Sequence, residues 1–406
     1  MNNEELLLEG LRVIDCGSWV AAPAAATVLG DFGADVVKVE APPGGDGFRW
    51  AAQYVPGFPQ ASENYAWQLT ARNKRSLLLD LKQPQGYAVL QRLVAQADVF
   101  LTNFPPEVLA KLRLRWEDLE GLNPRLVYAQ LSGYGEHGPH ANVAAFDRSG
   151  WWARSGMMDR VRFRGHAPVG GVLGWGDHAS AMTLFGGVMA ALYRRERTGR
   201  GGKVSTSLLA NGLWANGLPL QARLSGAEVA LETPREEMDN ALAIPYETAD
   251  GHWFYPWLFN EEIDWRRFVI ALGLQAVADD ARFATREGRA RDAQVLIGAI
   301  ERRVREHDWA HWSRTLAEAG VELISVATLD DVLCDPQVEH NAMLTPLVGT
   351  GTVARRTVSS PLTVHGHPKR PAGSAPALGQ HSDEVLAGIG YSEEEIATLR
   401  AAGVVR

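Results

Sequence analysis

Through roughly the first 130 residues, short apolar runs alternate with stretches of helical periodicity, the pattern of parallel strands joined by crossover helices. Strands are expected at Arg12 to Asp15, Asp35 to Val39, Ser76 to Leu79, Val99 to Leu101 and Leu126 to Leu131. Ala24 to Gly33 and Gln85 to Ala97 repeat their apolar positions at helical spacing, with Pro84 suited to a first helical turn because its missing N–H would be unpaired there anyway. The alternation predicts an α/β fold with a doubly wound, Rossmann-like parallel sheet, although the GxGxxG turn of a dinucleotide site is missing. Further on, Asp177 to Gly199 reads as one long helix with small residues along one side, closed by Thr198-Gly199-Arg200-Gly201-Gly202. The strand Val204 to Leu208 and a helix into Leu218 follow.

Near Ala227 the pattern shifts to polar loops, a hairpin at Tyr246 to Trp257, amphipathic helices at Ala293 to Glu306 and Trp309 to Gly320, and a returning strand at Val321 to Ala327. We therefore expect a large α/β domain over residues 1–225 and a smaller α+β domain over 226–330. The remaining segment, 331–406, holds β-rich sequence at Leu347 to Val364, a Pro/Gly/Ser/Ala-rich crossing at Pro368 to Gly379, and two short helices, Ser382 to Ile389 and Glu393 to Ala402.

Composition narrows the function classes. With 46% hydrophobic and 22% charged residues and no apolar run near the ~18 to 20 residues that span a bilayer, the chain reads as a soluble protein. Its acidic start, Met1-Asn2-Asn3-Glu4-Glu5, is unlike an export signal, so the cytoplasm is the expected compartment. The formal net charge of −8 disfavours a nucleic-acid surface. Cys16 and Cys334 stand in no metal-ligand spacing and read as core residues, so no metal is expected.

Gly174-Trp175-Gly176-Asp177-His178 puts a carboxylate where an N-cap belongs. Free N–H groups and the helix dipole would hold Asp177 ionised and able to attack an electrophile, and the same N–H groups could stabilise an oxyanion. Spacing alone leaves open the plainer reading of a carboxylate that only caps its helix.

Many blocks along the chain point the same way. They include Gly10-Leu11-Arg12-Val13-Ile14-Asp15, Leu29-Gly30-Asp31-Phe32-Gly33-Ala34-Asp35-Val36-Val37-Lys38-Val39-Glu40, Asn73-Lys74-Arg75-Ser76, Thr102-Asn103-Phe104, Ser132-Gly133-Tyr134-Gly135, Tyr246-Glu247-Thr248-Ala249-Asp250-Gly251 and Leu378-Gly379-Gln380-His381-Ser382-Asp383. In this order they resemble the family III CoA-transferases, a group that includes the formyl-CoA, carnitine and bile-acid CoA-transferases. Gly174 to His178, Phe146-Asp147 and Ala153-Arg154-Ser155-Gly156 are most similar to the branch acting on 2-hydroxy acids such as 2-hydroxyisocaproate and phenyllactate.

The resemblance implies CoA transfer from an acyl-CoA donor to a carboxylic acid acceptor through an aspartyl anhydride and thioester, with Asp177 as nucleophile. It places coenzyme A on Asn73, Lys74, Arg75, Asn103, Phe104, Lys111, Ser132, Gly133, Tyr134 and Gly135, returns the C-terminal segment to the large domain, and makes two chains interlock as a homodimer. The branch and the tryptophans Trp19, Trp151, Trp152 and Trp175 suggest a 2-hydroxy, branched or aryl acceptor. Three departures stand. Formyl-CoA transferase carries its nucleophile in a segment whose counterpart, Phe163 to Pro168, has no carboxylate, which leaves Asp159 and Asp147 as fallback candidates beside Asp177, and Val20 and Ala41 replace a contacting glutamine and arginine. Two other readings stay open: an α-methylacyl-CoA racemase, whose base pair would fall on Phe146 and Asp177, with His178, His166 and Glu247 as further candidates near the site, and a non-catalytic CoA-binding protein.

Overall fold

The alternation of apolar runs does build a parallel sheet. The computed structural model describes residues 6–257, 261–349 and 355–406. Six strands, β1 (Arg12–Asp15), β2 (Asp35–Glu40), β3 (Lys74–Leu78), β4 (Val99–Thr102), β5 (Val127–Ser132) and β6 (Gly202–Ser207), pair in the order β3-β2-β1-β4-β5-β6. All neighbours run parallel, in register Arg12↔Asp35, Val13↔Val99 and Val127↔Gly202. Side chains on a strand alternate between faces, and here both faces are covered. Val13, Val36, Val99, Leu101, Val127 and Ala129 pack with the helices Ala21–Asp31 and Trp175–Thr198. Ile14, Val37, Leu77, Phe100 and Tyr128 pack with Pro84–Gln96 and the C-terminal helices Ser382–Gly388 and Glu393–Ala401. The helix Ala21–Asp31 is buried along its whole length, and its alanines let the sheet and the long helix approach closely.

The chain divides into two compact units, the larger made of Met1–Val161, Pro168–Val229 and Ala342–Arg406. Its C-terminal segment closes one edge of the sheet: Val405 bridges to Leu79, and the Asp80 N–H donates to the Val404 carbonyl at 2.9 Å. An open strand edge is a template for unwanted pairing, and this tail occupies it. The smaller unit, Arg162–Ala167 and Ala230–Asn341, has an antiparallel sheet of β7 (Tyr246–Glu247), β8 (Trp253–Trp257) and β9 (Glu322–Val326). Trp265, Phe268, Ile297, Ile300, Trp312 and Leu316 form its own core. The short helices Leu329–Cys334 and Pro336–His340 stay with this unit. Cys16 is buried as expected, whereas Cys334, at the end of its helix, is exposed. Among the described residues no helix is long and apolar enough to cross a membrane.

Candidate active site

In an open parallel sheet, ligands settle beyond the carboxyl ends of the strands where the chain reverses its order of addition, and here that point lies between β1 and β4. A cleft of about 280 Å³ opens there. Its walls come from the turns after β1 (Ser18, Trp19), β4 (Asn103, Phe104, Pro105) and β5 (Gly133), from Ala141 and Val143 to Phe146, and from Asp177. Among the described residues that line it, Asp177 is the only ionisable one.

The two turns at the reversal point are tied together by one side chain. Asn103 Oδ1 accepts the Ser18 N–H at 2.8 Å, and its Nδ2 donates to the Ser18 carbonyl at 2.7 Å. Trp19 adopts the left-handed conformation (φ 65°), which costs a residue with a side chain of the order of 1–3 kcal/mol. Asp46 holds it there, accepting the Trp19 N–H at 3.0 Å and the Ser18 hydroxyl at 2.9 Å, while the indole ring meets Phe48 and the edge of Phe146. Asp46 is in turn fixed from below by a buried charge cluster. Lys38 pairs with Asp46 at 2.9 Å and with Asp15 at 3.5 Å and donates to the Gly17 carbonyl at 2.7 Å, and Lys74 pairs with Asp15 at 2.8 Å. Two cations face two carboxylates, all four nearly inaccessible to water. Burial opposes ionisation of Asp15, but Lys38 and Lys74 hold its carboxyl below the usual range.

The nucleophile candidate is set differently from the sequence expectation. The long helix starts at Trp175 with Gly174 as its cap (φ 86°), so Asp177 is the third residue of the first turn and not the N-cap. The capping carboxylate is Asp147, which accepts the Gly174 N–H at 2.6 Å and the Gly176 N–H at 3.0 Å. Gly176 permits this because a Cβ there would stand 2.4 Å from Asp147 Oδ1 and 2.2 Å from Trp151 Cγ. Two of the N–H groups at this helix start, those of Gly174 and Gly176, are therefore already engaged. Nor is Asp177 held firmly ionised: burial, and next the charge of Asp147, push it up to about 7. Asp147 itself is pushed up to about 6 by burial, against the lowering effect of its backbone bonds and Arg148.

Of the residues expected to hold coenzyme A, the structure brings Asn103, Phe104, Ser132 and Gly133 to the cleft with Asp177. Tyr134 and Gly135 continue the turn after β5, with the Gly135 N–H bound to the Ser132 hydroxyl at 3.0 Å, and Lys111 is exposed in the last turn of the helix Pro106–Leu112. Asn73, Lys74 and Arg75 stand elsewhere. β3 enters the sheet at Lys74, so the backbone of these three lies at the amino end of the strand, and none of them lines the cleft. Lys74 is spent on Asp15, Asn73 accepts the Gly373 N–H at 2.8 Å, and Arg75 pairs with Asp35 and Glu384. Of the four tryptophans only Trp19 lines the cleft. Trp151 and Trp152 are buried, and Trp175 is exposed beside a separate cavity that also takes His178. His178 Nδ1 is bound to the Gly174 carbonyl at 2.7 Å, while His166 and Glu247 belong to the smaller unit, Glu247 paired with Arg305 at 2.7 Å. The segment Phe163 to Ala167 also belongs there, with Arg164 paired to Glu237. Sequence reading missed Ser18 and the pairing of Lys38 with Asp46, since a contact between β2 and the loop after it has no local pattern.

A model of CoA-transferase family III matches residues 8–382. The chain is 29% identical over 401 residues to the (R)-2-hydroxy-4-methylpentanoate CoA-transferase of Clostridioides difficile, covering 99% of this chain and 100% of that enzyme. It is 30% identical over 404 residues to the cinnamoyl-CoA:phenyllactate CoA-transferase of Clostridium sporogenes, covering 98% and 97%. The crystal structure of a CAIB/BAIF family protein from Brucella suis superposes with a TM-score of 0.85 at 26% identity, over 95% of this chain and 100% of that one.

Proposed function

The chain belongs to CoA-transferase family III, whose members move CoA between an acyl-CoA and an acid, and on that premise we propose that Asp177 is the nucleophile of this transfer. The observation that carries the reading is its place as the only ionisable side chain among the described lining of the switch-point cleft. The Asp177 carboxylate attacks the thioester carbonyl and expels CoA thiolate, forming a mixed anhydride. The thiolate then attacks the aspartyl carbonyl, releasing the first acid and leaving CoA on Asp177 as a thioester. The acceptor carboxylate attacks that thioester, thiolate leaves again, and its attack on the acceptor's carbonyl gives the new acyl-CoA and frees Asp177. Val20 and Ala21 line the cleft at the start of the helix Ala21–Asp31, whose positive end supplies a field for each oxyanion.

Asn103, Phe104, Ser132 and Gly133 would contact the pantetheine end of the ester, and Lys111, exposed in the last turn of Pro106–Leu112, would hold a phosphate of CoA. Trp19, Phe104, Val143 and Phe146 make an apolar wall that suits a branched or aryl acid, and the two relatives named for 2-hydroxy-4-methylpentanoate and phenyllactate support a 2-hydroxy acid as acceptor. Racemisation is disfavoured because two groups must exchange a proton and this lining offers one. Trp214, Leu218 and Leu224, all strongly exposed, support the homodimer that such enzymes would form. Assaying a panel of 2-hydroxy, aryl and short-chain acids against acetyl-CoA, succinyl-CoA and cinnamoyl-CoA tests the assignment. Exchange with 2-hydroxy acids ahead of the others is the expected result, and no exchange with any pair would remove it.

Two outcomes follow from the geometry. The attacking form is the carboxylate, and Asp177 is pushed up to about 7, so its reactive fraction shrinks as pH falls below that value. kcat/KM should rise with pH and level off above about 7, and a profile flat from about pH 5 to 8 would contradict this. Asn103→Ala removes both of this side chain's bonds to Ser18, a loss of the order of 1–3 kcal/mol, and leaves the turn to Asp46 and Lys38. Steady-state kinetics should show KM for acyl-CoA raised about tenfold with a smaller change in kcat.

A further inference from the structure

The helix that carries Asp177 begins on Gly-Trp-Gly, a sequence with little tendency to start a helix, and its cap residue, Gly174, has no side chain to bind the first N–H groups. Asp147 does that work from 27 residues upstream, through its bonds to Gly174 and Gly176. It is 3% exposed, and its neighbour Phe146 lines the cleft. The close approach leaves no room for a Cβ at Gly176, so the carboxylate is seated against the backbone one residue before Asp177. The charges acting on this pair are Arg148, beside Asp147, and Asp147 itself on Asp177.

We propose that Asp147 is a positioning residue that builds the start of the nucleophile's helix and, as a charge beside Asp177, favours the covalent enzyme over the free carboxylate. This rests on the reading of Asp177 as nucleophile. Esterification removes the charge of Asp177 just as protonation does, so either event relieves the same like-charge repulsion. The factor by which Asp147 raises proton affinity at Asp177 is therefore the factor by which it raises the equilibrium for loading CoA. A carboxylate of higher basicity is also the better nucleophile.

The test compares the wild-type protein with Asp147→Asn, which keeps one oxygen for a backbone N–H but loses the charge. Asp147→Ser, neutral with a capping hydroxyl, is the second variant should the first fail to fold. Each is incubated at about pH 8, where both aspartates of the wild type are ionised, with acetyl-CoA, succinyl-CoA or cinnamoyl-CoA. The fraction carrying CoA is read by intact mass, and the pH profile of kcat/KM is recorded. Loss of the charge should move the acid limb down by about one pH unit and lower the loading equilibrium about tenfold, the two changes matching because one pH unit is a factor of ten. If both variants lose activity while the acid limb and the loaded fraction stay where the wild type has them, Asp147 only holds the helix and the inference is overturned. If the wild type itself carries no CoA on Asp177, the nucleophile reading fails instead.

Discussion

Asp177→Ala is expected to lower kcat for CoA exchange about 10⁴-fold or more, with folding and acyl-CoA binding little changed. Direct exchange between an acyl-CoA and a carboxylate has no other route through this cleft, because none of the other described lining residues carries a carboxylate, thiol, amine or imidazole. The side chain is half-buried in the first turn of a helix whose start is fixed by Asp147, so its removal leaves the backbone bonds of that turn in place. Circular dichroism should be unchanged, and relief of the repulsion between two acids could add slightly to thermal stability. Acyl-CoA bound with wild-type affinity but never exchanged is the signature that separates a lost nucleophile from a lost fold. Retention of more than about a tenth of the activity would move the chemistry to another residue.

Lys38→Met should cost the larger unit about 3–5 kcal/mol, read as a drop in the denaturation midpoint. Lys38 lies 1% exposed between Asp15 and Asp46, and its Nζ also binds the Gly17 carbonyl. Methionine fills the same volume, so packing is kept and the loss isolates the charge. Without the ammonium, Asp46 is a buried carboxylate with no cation bonded to it, while Asp15 keeps only Lys74. The functional consequence follows from Asp46's second duty. It holds Trp19 in its left-handed conformation, and a relaxed Trp19 would swing into or out of the cleft. Lys38→Met should therefore also raise KM for acyl-CoA. Adding Asp46→Asn to Lys38→Met should recover part of the stability, because the stranded charge is then gone. A single-variant loss below about 1 kcal/mol would mean that the cluster is not a charge-paired support for the turn.

What could be read from the chain before its structure divides along local and non-local lines. β1 was expected at Arg12 to Asp15 and is found at Arg12–Asp15, because a central parallel strand is apolar on both faces and announces itself in a few residues. Pro84 as a first helical residue is equally local, and the helix runs Pro84–Gln96. The start of the Asp177 helix was placed two residues late because its cap comes from Asp147, far along the chain, and no local pattern encodes that bond. By resemblance, Lys74 and Arg75 are expected to hold coenzyme A. Lys74 is instead buried, because Asp15 on β1 reaches it across β2. The cleft was legible only in pieces. Asn103, Phe104, Ser132, Gly133 and Asp177 came from motifs, but their convergence depends on the strand order, and Ser18 carried no motif at all.

The most direct test of the central claim is to trap the enzyme's covalent intermediate. Incubation with acyl-CoA, reduction with borohydride and tryptic digestion should yield the peptide 165–194 with homoserine at position 177, since the aspartyl thioester is reduced to an alcohol while a free carboxylate is not. An unmodified 165–194 peptide alongside a reduced aspartate or glutamate elsewhere would contradict the account.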